Sequence, residues 1–87
     1  MKVNIYAVRD RAIDTFAQPM FMASHGGAIR SFNDAVNDPK GESNLCKHPE
    51  DFDLYYLGVY DDAVGSFAVP DECPEMIAIG KNALVRQ

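Results

Sequence analysis

The first groups in this 87-residue chain that could do chemistry are its two cysteines and two histidines. Cys46-Lys47-His48 sets a thiol two residues from an imidazole. A Cys–His nucleophile needs contact in space and a third group to orient the base, and adjacent loop residues rarely provide that geometry. Cys46, His48, Cys73 and His25 could supply four zinc ligands. A Cys-x-His pair with one distant Cys matches no common zinc module, so no metal is assigned. Carboxylates are plentiful (Glu50, Asp51, Asp53, Asp61, Asp62, Asp71, Glu72 and Glu75), but they fall in predicted turns, where such groups are solvated. Asp61 and Asp62 lack the ligand spacing of a calcium loop. Gly26-Gly27 precedes a helix, and helix N-termini attract phosphate. Neither the Walker loop nor the dinucleotide fingerprint accompanies it. No catalytic set and no cofactor are assigned, and the expectation is a binding protein rather than an enzyme.

Basic and aromatic residues remain. Lys2, Arg9, Arg11 and Arg30 lie in the N-terminal third, and Tyr6, Tyr55, Tyr56 and Tyr60 lie on predicted strands. Strand aromatics beside arginines are how sheets stack single-stranded bases. The plainer alternative makes the tyrosines core or interface residues and the arginines a solvated rim. Thirteen acidic against eight basic residues give a formal charge of −5. Proteins that bind mainly by neutralising phosphate are usually basic. Any DNA contact here must come from a local basic patch, from stacking, or through a partner protein.

These residues must be positioned by one small domain, residues 1–87. The apolar content of 47% is that of a folded chain. Apolar stretches of a few residues are too short for a membrane span, and Asn4, Arg9, Asp10 and Arg11 break any signal-peptide core. Two reduced thiols are the default in a cytoplasmic setting, with a Cys46–Cys73 disulfide as the alternative.

Residues 2–9 alternate as a strand, with Val3, Ile5 and Ala7 on one side and Tyr6 and Val8 on the other. Residues 15–23 form a second strand, which Pro19 confines to an edge or a bulge. Ser24 caps a helix whose apolar stripe is Ala28, Ile29, Phe32, Ala35 and Val36, ended by Asp38-Pro39. Lys40 to Lys47 is a polar loop, and His48 to Phe52 a tight turn. Residues 53–60 and 66–69 form a hairpin through Gly65, residues 76–79 a short strand, and 81–87 a loose tail. The fold class is α+β: a small antiparallel sheet of four to five strands in β-β-α-β-β order, with one amphipathic helix on one face.

One three-turn helix covers one side of a sheet that is apolar on both. The other side therefore meets a second copy or a partner, with Tyr6, Val8, Tyr55, Leu57 and Val59 as the candidate interface.

Several segments read together as a resemblance. They are Asn4-Ile5-Tyr6-Ala7-Val8-Arg9-Asp10, Phe16 to Met22, Ala28-Ile29-Arg30-Ser31-Phe32-Asn33-Asp34-Ala35-Val36, His48-Pro49-Glu50-Asp51-Phe52-Asp53-Leu54-Tyr55 and Leu57-Gly58-Val59-Tyr60-Asp61. Their order and spacing resemble the small nonstructural, DNA-binding protein of gokushovirus-type microviruses over roughly residues 3 to 80. The resemblance implies a protein outside the virion that acts in the host cytoplasm during single-stranded genome synthesis or packaging. Its implied partners are phage replication proteins and single-stranded DNA. Lys2, Arg9, Arg11 and Arg30 would meet phosphate, with Tyr6, Tyr55 and Tyr56 stacking.

Overall fold

A computed structural model describes residues 1–84. In chain order the elements are β1 (Lys2–Asp10), β2 (Thr15–Phe16), β3 (Met20–Met22), α1 (His25–Val36), α2 (Asn44–Lys47), a 3-10 turn (Pro49–Asp51), β4 (Phe52–Asp61), β5 (Ser66–Ala68), β6 (Glu75–Ile79) and α3 (Gly80–Ala83). All six strands join one open antiparallel sheet, so the fold is α+β as the sequence implies.

Two long strands form its spine. β1 and β4 pair along their whole length, from Lys2 opposite Asp61 to Asp10 opposite Phe52. Each is flanked by an edge in two pieces: β2 and β3 on β1, β5 and β6 on β4. Prolines lie at the breaks, Pro19 on one edge and Pro70 and Pro74 on the other. A residue without an N–H cannot continue a ladder, so the predicted strand over 15–23 becomes two short ones and the sheet has six strands rather than four or five.

α1 packs on one face. Ser24 caps it as predicted, accepting from the Gly27 N–H at 3.1 Å. Ala28, Phe32 and Val36, each four residues apart, are buried against Tyr6, Leu54 and Tyr56. Ala35, placed in the stripe by the sequence, is exposed, because the contact seam follows the four-residue step. Asn37 ties the helix end to α3 by donating to the carbonyls of Asn33 and Ala83, both at 2.8 Å.

A bulge sits in the spine. Ile5 pairs with Gly58 and Tyr6 with Tyr56, leaving Leu57 without an opposite residue. Gly58 has φ 156°, and a Cβ there would lie 2.6 Å from the Ala68 carbonyl oxygen, so β5 crosses where only glycine fits.

Two expectations are corrected. The Lys40–Lys47 loop contains α2, and the loose tail over 81–87 begins as α3, while residues 85–87 lie outside the described residues. α3 abuts the 3-10 turn so closely that a Cβ on Gly80 would stand 2.1 Å from the Pro49 carbonyl oxygen. Arg11 locks the other side of that turn. Its N–H donates to the Asp51 carbonyl at 2.8 Å, and its guanidinium to the Glu50 carbonyl and, at 2.8 Å, to the Asp53 carboxylate.

Candidate functional site

Strand alternation puts a second set of side chains on the face opposite α1. β1 contributes Val3, Ile5, Ala7 and Arg9, and β4 contributes Asp53, Tyr55 and Tyr60, paired with them across the spine. Registers on the flanks add Phe16 beside Arg9, Phe21 beside Ile5, Phe67 beside Tyr60, and Met76 beside Tyr55. Among the described residues no element packs over this face. Phe16, Phe21, Phe67 and Met76 are exposed by 41%, 52%, 66% and 48%.

The rings form two groups. Phe16 and Tyr55 meet edge to face at 5.3 Å, and the Arg9 guanidinium lies 5.8 Å from the Phe16 centroid. Tyr60 contacts Phe21 at 6.0 Å and Phe67 at 5.0 Å. Four strand positions separate the groups, which corresponds to about 13 Å at the strand rise. Each carboxylate nearby is held by an arginine. Asp14 binds Arg9, a contact that together with Tyr55 holds the guanidinium still more firmly protonated. Asp53 binds Arg11. The acidic excess lies elsewhere, in turns such as Asp61-Asp62, where Asp62 takes the N-terminal amine at 2.7 Å.

The candidate residues scatter. Arg9 and Tyr55 reach the open face together. Tyr6 and Tyr56 do not: they lie beneath α1, Tyr6 with 0% exposure. The Asn4 amide donates to the Tyr6 hydroxyl at 3.0 Å, which lies 2.7 Å from His25 Nδ1. The phenol oxygen accepts from the Asn4 amide, and the imidazole tautomer of His25 decides which partner donates in the second bond. Burial pushes both hydroxyls above the ordinary value of 10.0, an effect that hydrogen bonding from Asn4 partly offsets at Tyr6. Val8 and Val59 pack against the same core, and half-buried Leu57 occupies the bulge. The proposed interface thus drew on both faces. The bulge moves Val59 to the helix side, opposite Asn4. Lys2 begins β1 opposite Asp61, Arg11 is committed to the 3-10 turn, and Arg30 is exposed on α1, away from Arg9. No basic patch is assembled from these four.

Phe16, Phe21 and Phe67 are the site residues that sequence reasoning missed. Phe16 and Phe21 stand on either side of Pro19, and the edge position this proline demands was the available signal.

Both cysteines are free. Cys46 Sγ lies 3.2 Å from the Ser43 carbonyl, and burial together with Glu72 and Glu75 raises Cys73 above its ordinary value. The four suggested zinc ligands do not gather. The one metal-capable group among the described residues is His48, Glu50 and Asp51, whose ligand atoms lie within 4.8 Å of one another in the solvated turn. Two open grooves flank the core. One of about 350 Å³ runs between α1 and β6, and one of about 380 Å³ lies beside β2 and α2, lined by Val8, Ile13, Leu45 and Phe52. Among the described residues no helix is long and apolar enough to cross a membrane.

The sequence model of the family described as Phage ORF5 protein matches residues 3–83. Protein ORF5 of Chlamydia phage 1 is 33% identical over 69 residues, which cover 77% of this chain and 72% of that protein. No solved structure matches.

Proposed function

The chain belongs to the Phage ORF5 protein family, and from that premise we propose that it is a non-enzymatic helper of single-stranded phage genome replication or packaging in the host cytoplasm. Its working surface is the open sheet face, and the ligand is single-stranded DNA held by base stacking. The observation that carries this reading is the pair of contacting ring groups, Phe16–Tyr55 and Phe21–Tyr60–Phe67, on a face no described element covers. Aromatic rings on an exposed sheet stack bases at about 1–3 kcal/mol each and tolerate any sequence.

The placement of charge sets the binding signature. With the net charge at −5 and Arg9 as the cation among the rings, few counterions would be released. The affinity then has a shallow salt dependence, a slope of about −1 in log–log form rather than a steep one. Titrating tyrosine fluorescence with an oligodeoxythymidylate at low salt tests the reading. Quenching that Phe67→Ala weakens by roughly tenfold supports stacking, whereas no change in fluorescence or anisotropy rejects it.

The dispersal of Lys2, Arg11 and Arg30 favours a second reading, in which the same face docks a capsid, scaffold or host protein without touching DNA. Charge reversal at Arg9 separates the two: a protein partner held by the rings is retained, and a DNA strand is lost.

A further inference from the structure

We propose that the open face grips one DNA strand at two separate points, so that its ligand is a run of about five nucleotides lying along β1 with a phosphate on Arg9. This footprint rests on the stacking reading and adds to it the length and the placement of the strand.

The bulge in the spine creates the second point. Tyr55 and Tyr60 are five residues apart, and strict alternation would send them to opposite faces. The extra residue at Leu57 resets the phase, so the two tyrosines pair with Ala7 and Val3 on one side of β1. Each then meets a phenylalanine across that strand, Phe16 with Tyr55 and Phe21 with Tyr60. The result is two tiers of rings rather than one continuous platform. Phe16 stands opposite Arg9 and Phe21 opposite Ile5, which sets the tiers about 13 Å apart along β1.

That distance selects the ligand. A stacked strand advances about 3.4 Å per nucleotide, so bases on the two tiers are about four steps apart. A dinucleotide, with one step, reaches a single tier. The exposed phenylalanines among the described residues are Phe16, Phe21 and Phe67, all within the tiers, so nucleotides beyond them meet no further exposed phenylalanine. Arg9 marks the anchored end. Its guanidinium lies 5.8 Å from the Phe16 centroid, and its five N–H donors exceed what the Asp14 carboxylate takes, leaving donors for one phosphate.

Fluorescence titration of the full chain at low salt with oligodeoxythymidylates of increasing length, from the dinucleotide upward, tests the footprint. Affinity should rise on the order of 100-fold by about five nucleotides, where both tiers engage, and then level off. Phe16→Ser, with an unchanged far-UV spectrum, should remove the rise and bind long and short strands alike. Asp14→Asn, which suits the left-handed backbone at φ 55°, should strengthen binding about threefold by releasing Arg9. Equal gains for every added nucleotide, or a rise that survives Phe16→Ser, overturn the two-tier footprint while stacking stands. An Asp14→Asn chain that binds no tighter overturns the anchor at Arg9. Failure of every length to quench overturns stacking and the footprint with it.

Discussion

The two faces of the sheet are built from the same strands and differ in what lies above them. On one side Tyr6, Leu54 and Tyr56 are sealed beneath Phe32 and Val36 of α1. On the other, Phe16 touches Tyr55 while Phe21 and Phe67 touch half-buried Tyr60, and the three phenylalanines remain open to water. Apolar composition alone does not distinguish them. Cover does, because a helix of 12 residues shields only one side. A small domain that leaves this many rings uncovered forgoes stability that a second helix could supply, which is the pattern of a surface kept for a ligand.

The covered face should be the one that holds the fold together. Phe32→Ala should cost about 3–5 kcal/mol in chemical unfolding, by removing the ring around which α1 and the strands meet. Arg11→Ala comes next, at about 2 kcal/mol, because it strands the buried Asp53 carboxylate, whose Oδ1 already lacks a partner. Arg11 is half-exposed, which keeps the loss below that of a sealed ion pair.

Tyr6→Phe should cost about 1 kcal/mol through the lost bonds to Asn4 and His25. The same phenols set a pH limit. Tyr6 and Tyr56 hold their protons more tightly folded than unfolded, so their contribution is intact below pH 10, the ordinary value, and declines as pH rises above it. An unfolding series across that range should show the decline, and Tyr6→Phe should flatten it. The smallest stability effect should come from the open face: Phe67→Ser should stay within about 0.5 kcal/mol of wild type.

The sequence made much of the covered face legible. Alternation along β1 separates Tyr6 and Val8 from Val3, Ile5 and Ala7, and the cap and stripe of α1 follow from Ser24, Ala28, Phe32 and Val36. Which side the helix would choose was not legible, since both sides of β1 are apolar. The bulge at Leu57 reverses the alternation of β4, which is why Val59 was placed with Tyr55 when it faces Asn4. Tyrosines drew the stacking hypothesis toward the core, while the edge phenylalanines depended on long-range pairings, Arg9 with Phe16 and Ile5 with Phe21. Two four-residue helices, α2 and α3, carry too little periodicity to read.

Binding of an oligodeoxythymidylate, followed by tyrosine fluorescence at low salt, is the most direct measurement, made on the wild type and on Phe21→Ser with Phe67→Ser. The open-face account predicts quenching in the wild type, lost in a variant whose folded spectrum is unchanged. Equal quenching in both, or none in either, would contradict it.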